Sequence, residues 1–298
     1  MEVNRKPEKL LFVGGDLRQL RAANRVSEHN CEVSAFALGD KDGHKLSERI
    51  CRINTVDGLE KSYNAVVLPL PYTVDGENIN ISDKYDKLSI DELIKNLSAD
   101  TVVLAGKSDK RFEKCAGEKG VKVIDYFARE ELQILNAIPT AEGAIQIAMQ
   151  ETPFTVHSSR CLVIGNGRIG KILAKMLSGI GARVTVAARK ERDRAQIFSY
   201  GQKAINTDRL YEEIGRFDII FNTVPTLILD SDMLAKTNRN AVIVDLASKP
   251  GGVDFEAARK MGIKVIWALS LPGKVAPDTA GDIIGKTIIN ILDEMEAR

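Results

Sequence analysis

The sequence predicts an α/β protein with two domains, each built on a parallel sheet. Its 298 residues are enough for about two domains at roughly 150 residues each. Short β-branched runs alternate with helical patterns through most of the chain, which is typical of βαβ units. A glycine-rich turn at residues 165–170 follows one such run and precedes a helical pattern. We therefore expect doubly wound sheets with a cleft between the two domains.

The composition excludes several classes of protein. Lys and Arg total 42 against 41 Asp and Glu, so neither a strongly basic nucleic-acid binder nor an acidic tail is indicated. The four cysteines form no C-x-x-C pair and have no zinc-ligand spacing. No stretch approaches the roughly 18 apolar residues that a membrane helix needs. We expect a cytoplasmic protein that binds no nucleic acid, membrane or metal.

The first half is assigned to a substrate-side domain, residues 1–138. Strands are predicted at residues 10–13, 32–36, 65–68, 101–105 and 121–124. Helices are predicted between them at residues 17–29, 91–97 and 111–119. Residues 139–152 are interpreted as a linker helix that begins after Pro139, with Thr140 as its N-cap and Glu142 in its first turn.

The same alternation restarts in the second half and defines a cofactor-binding domain at residues 153–280. Its predicted strands lie at residues 160–164, 183–187, 219–222, 241–245 and 264–267. Its predicted helices lie at residues 173–180, 193–200, 208–214 and 255–261. A last helical pattern at residues 281–298 has its isoleucines on one face. We expect this helix to pack back on the first domain.

The strongest local signal is a G-x-G-x-x-G motif placed between a strand and a helix. It comprises Gly165, Asn166, Gly167, Arg168, Ile169 and Gly170. The first glycine permits the tight turn, the second lets the backbone approach a pyrophosphate, and the third lets helix and strand pack closely. The helix N-terminus then offers amide groups and a partial positive charge to the phosphates. This motif predicts a dinucleotide site, and the alternative is a tight turn without a ligand.

The end of the next strand favours NADP over NAD. Enzymes that prefer NAD carry an Asp or Glu there to bind the ribose 2′-hydroxyl. Here Arg189 and Lys190 occupy that place, and no carboxylate appears before Glu191. A guanidinium can bind a 2′-phosphate through two hydrogen bonds, whereas a carboxylate would repel it. Arg192 or Arg194 could add further positive charge.

Further polar residues follow other predicted strands, where α/β sheets place their ligands. Asn222, Thr223, Val224 and Pro225 are predicted cofactor contacts. Predicted substrate contacts are Asp16, Arg18 and Gln19 in the first domain, and Ser248, Lys249 and Gly251 in the second. These loops favour a small polar or anionic substrate in the cleft. The histidines lie outside these loops, so a histidine base is not the leading hypothesis.

Taken together, these motifs resemble the A subunits of dipicolinate synthase from spore-forming bacteria. The matching segments span almost the whole chain. They are residues 14–19, Ile138-Pro139-Thr140-Ala141-Glu142-Gly143, the glycine turn, Asn222-Thr223-Val224-Pro225, Asp245-Leu246-Ala247-Ser248-Lys249-Pro250-Gly251-Gly252, and residues 271–273, 275–277 and 279–281. The resemblance adds Thr140 and Glu142 to the expected substrate contacts.

The resemblance implies two Rossmann-like domains similar to those of alanine and 2-hydroxyacid dehydrogenases. It also implies NADP-dependent oxidation of dihydrodipicolinate, a dicarboxylate, to dipicolinate. The expected partner is a flavoprotein-like B subunit, and the expected setting is the mother cell during sporulation, with the protein as an oligomer. Two alternatives are another NADP-dependent dehydrogenase of shikimate or 2-hydroxyacid type, and a non-catalytic regulatory protein that binds NADP. The catalytic base is not assigned.

Overall fold

The computed structural model describes residues 8–29, 31–40, 43–56, 63–82 and 84–297, which form two compact units. The first unit joins Met1–Leu135 to Ala276–Arg298, and the second is Asn136–Val275. Each unit contains one six-stranded sheet in which every pairing is parallel. The predicted α/β fold with two doubly wound parallel sheets is therefore confirmed.

The first sheet changes winding direction at its centre. Its strands are β1 (Glu8–Val13), β2 (Cys31–Phe36), β3 (Cys51–Ile53), β4 (Ala65–Val67), β5 (Val102–Ala105) and β6 (Lys122–Asp125). Their order is β3-β2-β1-β4-β5-β6. The strands that follow β1 are therefore added on one side of the central pair β1 and β4, and the strands that follow β4 on the other side. Leu10 and Leu11 on β1 are both buried although they point to opposite faces. Burial on both faces explains why the central strands are continuous apolar runs.

Helices of the first unit begin at side-chain caps. They are α1 (Leu17–Ser27), α2 (Ile90–Asn96) and α3 (Lys110–Gly117). Asp16, Ser89 and Asp109 each accept a hydrogen bond from an amide in the first turn of the helix they precede. Such caps satisfy donors that the helix itself leaves unpaired.

The predicted linker helix is longer than the sequence indicated. Helix α4 spans Glu130–Glu151, with Pro139 inside it rather than before it. Thr140 is consequently not an N-cap, and its hydroxyl donates to the carbonyl of Asn136, one turn back, at 2.8 Å. An internal proline costs a helix about 3 kcal/mol. Burial offsets this cost here, because the stripe Ala137, Ala141, Ala144 and Ala148 is fully buried.

The second sheet repeats the topology of the first. Its strands are β7 (Arg160–Ile164), β8 (Arg183–Ala187), β9 (Lys203–Ile205), β10 (Ile219–Asn222), β11 (Val242–Asp245) and β12 (Lys264–Trp267). Their order is β12-β11-β10-β7-β8-β9, so the winding reverses between β7 and β10. In such sheets ligands bind outside the carboxyl ends of the strands at this reversal.

Six helices connect or follow these strands. They are α5 (Arg168–Gly179), α6 (Glu191–Ser199), α7 (Leu210–Glu213), α8 (Ser231–Lys236), α9 (Phe255–Met261) and α10 (Leu271–Val275). Helices α8 and α10 were not predicted, and the sequence indicated a loop where α10 lies. Both are at most six residues long, which is too short for a helical period to be visible.

The sequence also missed β3 and β9, the two strands at sheet edges. Each has only three residues, and the residues of β3 are exposed or half-buried. An edge strand pairs on one side only, so it needs no long apolar run to be stable. Neither strand therefore carries the pattern by which the central strands were predicted.

The final helix packs closely against the first. Helix α11 (Pro277–Glu296) belongs to the first unit, and it begins with Pro277 in its first turn. A β-carbon at Gly281 would lie 2.6 Å from the carbonyl oxygen of Arg18, and one at Gly285 would lie 3.1 Å from that of Ala22. Both positions therefore need glycine to let the helices approach. Arg21 on α1 also forms an ion pair with Asp282 on α11 at 2.9 Å.

Among the residues that the structure describes, no helix combines the length and apolar character that crossing a bilayer requires. Nor do three or more His, Cys, Asp or Glu side chains come together as a potential metal site within those ranges.

The glycine packing of α11 makes a testable prediction about stability. Gly281→Ala should lower the free energy of unfolding by about 1–3 kcal/mol, because the added methyl overlaps the backbone of α1. Gly179→Ala is the matched control, since a β-carbon there meets nothing within 4 Å. It should leave stability unchanged or raise it by up to about 1 kcal/mol through helix propensity. Urea unfolding measures both, and a Gly281→Ala variant as stable as wild type would contradict the packing.

Candidate functional site

The glycine turn of the second unit lies at the carboxyl end of β7. Gly165 has a φ of +104°, and its amide donates to the carbonyl of Ala187 on β8 at 2.9 Å. This positive φ favours glycine. A β-carbon at Gly170 would lie 3.0 Å from the carbonyl carbon of Gly165, so a side chain would collide with the turn. The first and third glycines of the motif are therefore required by the fold itself.

The second glycine is different, because nothing in the fold requires it. Gly167 is the N-cap of α5, is exposed, and has no atom within 4 Å of the place where a β-carbon would stand. Having no side chain, it cannot cap the helix. The N-terminus of α5 is thus open at its end, as a bound phosphate group requires. This geometry fits the pyrophosphate of a dinucleotide.

The other residues of the turn surround this opening. Arg168 is exposed and Ile169 is half-buried. Asn166 is half-buried, and its side-chain amide donates to Gln196 of α6 at 3.3 Å. The sequence analysis did not single out Gln196. A glutamine on a polar helix gives no signal of this contact.

The end of β8 is basic and exposed. Arg189 and Lys190 directly follow the buried Ala188 and both face solvent. Glu191, the first carboxylate after the strand, forms an ion pair with Arg194 on the same helix. A dinucleotide with its pyrophosphate at Gly167 would place its adenosine ribose at this end of β8. Positive charge therefore dominates the surroundings of that ribose.

Asn222 at the end of β10 has a structural task instead of the predicted cofactor contact. It is completely buried, and its amide nitrogen donates to the carbonyl of Val224 at 3.0 Å and to the carboxylate of Asp245 at 2.8 Å. Thr223 is half-buried, and its hydroxyl donates to the carbonyl of Ile164 at 2.8 Å. Val224 is half-buried and Pro225 exposed beside it. A cofactor contact from Thr223, Val224 or Pro225 stays a prediction.

Asp245 organises the loop that follows β11. Its buried carboxylate accepts hydrogen bonds from Asn222, from the amide of Ala247 at 3.1 Å, and from the amide of Gly252 at 2.9 Å. The carbonyl of Gly252 in turn accepts the amide of Leu229 at 2.9 Å. One carboxylate thus connects the ends of the neighbouring strands β10 and β11 to Gly252, where the loop turns back.

The tip of this loop is accessible to a ligand. Ser248 and Lys249 are exposed, and Gly251 is buried with a φ of +91°. A β-carbon at Gly251 would lie 3.0 Å from the Asp245 carboxylate. Trp267, the only tryptophan in the chain, donates from its indole nitrogen to the carbonyl of Ala247 at 2.9 Å. The sequence analysis missed this support, although a half-buried indole N–H needs an acceptor.

The equivalent turn of the first unit is closed. Its helix N-cap is Asp16, whose carboxylate accepts the amide of Arg18. The amide of Gly15 donates to the carbonyl of Asn80 at 2.9 Å, and a β-carbon at Gly14 would lie 2.8 Å from the same oxygen. The segment around Asn80 thus covers the turn, and a carboxylate occupies the helix end. Two sheets with the same strand order therefore differ at the place where sheets of this topology bind their ligands.

Arg18 is held rigidly in this turn. Its guanidinium pairs with Asp16 at 2.7 Å and also donates to the carbonyl of Leu70 at 2.6 Å. The Arg18 side chain is 13% exposed, whereas that of Asp16 is 47% exposed. These bonds use Nε and Nη2, and Nη1 makes no hydrogen bond to the described residues. Nη1 therefore remains available to an acceptor from outside the protein.

Two buried side chains anchor the end of β4 beneath Arg18. The Gln19 amide donates to the carbonyl of Val67 at 3.1 Å, and the Tyr126 hydroxyl donates to that of Leu68 at 3.0 Å. Burial raises the pKa of Tyr126, so the phenol stays protonated. Gln19 is only 2% exposed, and its side-chain oxygen accepts no hydrogen bond from the described residues. Its substrate contact stays a prediction.

Among the described residues, no hydrogen bond or ion pair joins Thr140 or Glu142 to these loops. Thr140 is buried in α4, where its hydroxyl bonds to the helix backbone. Glu142 is exposed and lines a surface groove with Met149, Met176 and Ile180. A substrate contact by either residue stays a prediction.

Two family models match the chain, one in each half. The N-terminal domain of the dipicolinate synthase A subunit matches residues 9–127. The shikimate / quinate 5-dehydrogenase family matches residues 146–267, a range that contains the open glycine turn.

Similar proteins cover almost the whole chain. The A subunit of dipicolinate synthase from Bacillus subtilis is 33% identical over 97% of this chain and 97% of its own length. The crystal structure of the corresponding protein from Bacillus halodurans has a TM-score of 0.88 at 30% identity, covering 96% of this chain and 97% of its own. A transhydrogenase of Sinorhizobium meliloti, at 16% identity and a TM-score of 0.70, covers 96% of this chain and 94% of its own and shares the fold alone.

The open turn makes a prediction about cofactor binding. Gly167→Val should abolish measurable binding of a nicotinamide dinucleotide, because the side chain would occupy the position of the pyrophosphate. The fold should lose about 1 kcal/mol or less, since a β-carbon at Gly167 meets open space. Fluorescence titration of the reduced cofactor measures binding, and thermal unfolding measures stability. Gly179→Val, at the other end of the same helix, is the control. Normal binding by Gly167→Val would show that the turn has no ligand.

Proposed function

The chain belongs to the family of dipicolinate synthase A subunits, and we propose that it catalyses the NADP-dependent oxidation of dihydrodipicolinate to dipicolinate. Family membership makes it an oxidoreductase of the NAD(P) type. The observation that carries the proposal is the contrast between the two glycine turns. One is closed by Asp16 and Asn80, whereas the other is open at Gly167. We therefore assign the cofactor to the second unit.

NADP rather than NAD is proposed from the charges after β8. Arg189 and Lys190 are exposed, and Glu191, the first carboxylate after the strand, is paired with Arg194. A 2′-phosphate needs cationic donors, and Arg189 can supply two N–H groups in one plane. The residues present thus fit a phosphorylated ribose.

The proposed substrate contacts are exposed or preoriented cations. Lys249 stands at the tip of the loop held by Asp245, beside Ser248. Arg18 has its Nη1 group available while Asp16 and Leu70 fix its orientation. A dicarboxylate needs such partners, because a carboxylate buried without a partner would cost several kcal/mol. Gly251 is proposed to contact substrate through its backbone.

The reaction removes a hydride and a ring proton from the dihydropyridine. When bound at the open turn, a nicotinamide cofactor would supply the hydride acceptor. Asp245 is not suited to accept the ring proton, because amide donors occupy both of its oxygens and its side chain is completely buried. We propose that an ordered water takes it, or Asp16, whose side chain is 47% exposed although Arg18 donates to both of its oxygens. Aromatisation of the product drives the oxidation, so the protein mainly contributes orientation.

Two further proposals concern the partner subunit and the oligomeric state and cellular location of the enzyme. The relatives are named as the A component of a synthase, and we propose a flavoprotein-like B component as partner. We also propose an oligomeric enzyme in the mother-cell cytoplasm during sporulation.

One alternative has support of its own. The shikimate / quinate 5-dehydrogenase match favours an NADP-dependent dehydrogenase of that type, but it covers only residues 146–267. Residues 9–127 match the dipicolinate family instead, and substrate-side residues lie in that range. A non-catalytic regulatory protein that binds NADP is the remaining alternative, and turnover by the purified chain separates it from an enzyme.

The proposed reaction is tested by dipicolinate formation, followed by ultraviolet absorbance. The purified chain, alone and with its partner, is supplied with NADP⁺ and hydroxytetrahydrodipicolinate, the precursor that gives dihydrodipicolinate by loss of water. Arg18→Ala should lower kcat/KM by an amount equivalent to about 2–5 kcal/mol, as for loss of a buried charge contact. Its NADPH affinity should stay near wild type, since Arg18 lies in the first unit and the open turn in the second.

Arg49→Ala is the matched control for this experiment, because Arg49 is an exposed arginine of the same unit. It should turn over like wild type. Absence of product in every combination would refute the reaction. Undiminished turnover by Arg18→Ala would remove that residue from the substrate site.

The cofactor preference is tested separately by titrating NADPH and NADH. Wild type should prefer NADPH, and Arg189→Asp should weaken NADPH binding by about 10- to 100-fold, since a charge-assisted hydrogen bond contributes about 1.5–3 kcal/mol. NADH binding should change much less. Equal affinity of wild type for the two cofactors would refute the NADP assignment.

A further inference from the structure

Arg194 on α6 bonds to the backbone that carries Arg189. Its Nη1 group donates to the carbonyl of Ala188 at 3.1 Å and to that of Arg189 at 2.6 Å. Its Nη2 group donates to the carboxylate of Glu191. The side chain is only 19% exposed, whereas that of Arg192, two residues earlier, is 80% exposed.

These contacts leave Arg194 poorly suited to bind a phosphate itself. Nη1 has two protons, and two backbone carbonyls accept from it. Its charge is balanced by Glu191. A phosphate ligand would have to displace these partners. Through these contacts Arg194 instead connects the start of α6 to Ala188 and Arg189, the two residues that directly follow β8.

The bonded carbonyls determine how the basic segment leaves the sheet. The amide of Ala188 donates to the carbonyl of Ile205 on β9 at 3.0 Å, so Ala188 is fixed to the sheet. Its carbonyl and that of Arg189 are fixed to Arg194. The backbone at Arg189 is thereby held on both sides, while the side chains of Arg189 and Lys190 remain exposed.

We propose that Arg194 is a positioning residue for NADP selectivity. It holds the backbone so that Arg189 and Lys190 present their cations to the 2′-phosphate, and it does not bind the phosphate. The inference rests on the proposed NADP preference. It assigns selectivity to a hydrogen-bonding fork, which lysine lacks, and not to the charge alone.

The test measures the ratio of NADH to NADPH dissociation constants for the purified full-length chain at about 0.15 M salt, where exposed charges are screened beyond about 8 Å. Arg194→Ala should reduce the ratio by about tenfold, the loss typical of a charge-assisted hydrogen bond. Arg194→Lys keeps the charge and should reduce it similarly. Arg192→Ala removes an equal charge from the same helix and should change the ratio by no more than about twofold.

The outcomes separate positioning from charge and from simple loss of structure. A ratio restored by Arg194→Lys would overturn the proposal, because charge would then be sufficient. Equal losses in Arg192→Ala and Arg194→Ala would overturn it for the same reason. An unchanged ratio in both Arg194 variants, with melting temperatures near wild type, would show that Arg194 does not set selectivity. A wild type without preference for NADPH would refute the proposed cofactor, whatever the variants do.

Discussion

The buried carboxylate of Asp245 is the interaction on which the cofactor-side architecture depends. A charge without access to water must be compensated by hydrogen bonds, and removal of its partners would cost several kcal/mol. Asp245 receives bonds from the Asn222 side chain and from the amides of Ala247 and Gly252. Because these donors lie on β10 and on both arms of one loop, satisfying the carboxylate fixes all of them together. Ser248 and Lys249 are exposed at the tip of that loop as a result.

The two units show that a shared topology does not fix a shared function. Both sheets reverse their winding at the same relative position, and both have a glycine turn there. In the first unit Asp16 caps the helix and Asn80 accepts an amide of the turn. In the second unit Gly167 leaves the helix end open. A negatively charged cap and a phosphate compete for the same helix end, so one residue type decides which turn can bind an anion.

The sequence predicted the parts of the fold that depend on continuous burial. The central strands β1, β4, β7 and β10 are apolar runs because both faces are covered, and the glycine motif identified its strand and helix. Features that depend on partners distant in the chain were missed or misjudged. The extension of α4 through Pro139 depends on burial of its alanine stripe. The task of Asn222 depends on Asp245, 23 residues later, and polar residue type alone does not distinguish a ligand contact from an internal one.

Most polar side chains at the strand ends hold the backbone, and few remain for a ligand. Asn222, Asp245 and Arg194 use their polar groups within the protein, and Gln19 donates its side-chain amide there. Among the described residues, the groups left exposed include the cations Arg189, Lys190 and Lys249 and the open N-terminus of α5. A site that is already fixed by internal bonds loses less conformational freedom when an anion binds. An anionic cofactor and an anionic substrate therefore match the groups that the fold leaves free, and the internal bonds provide their orientation.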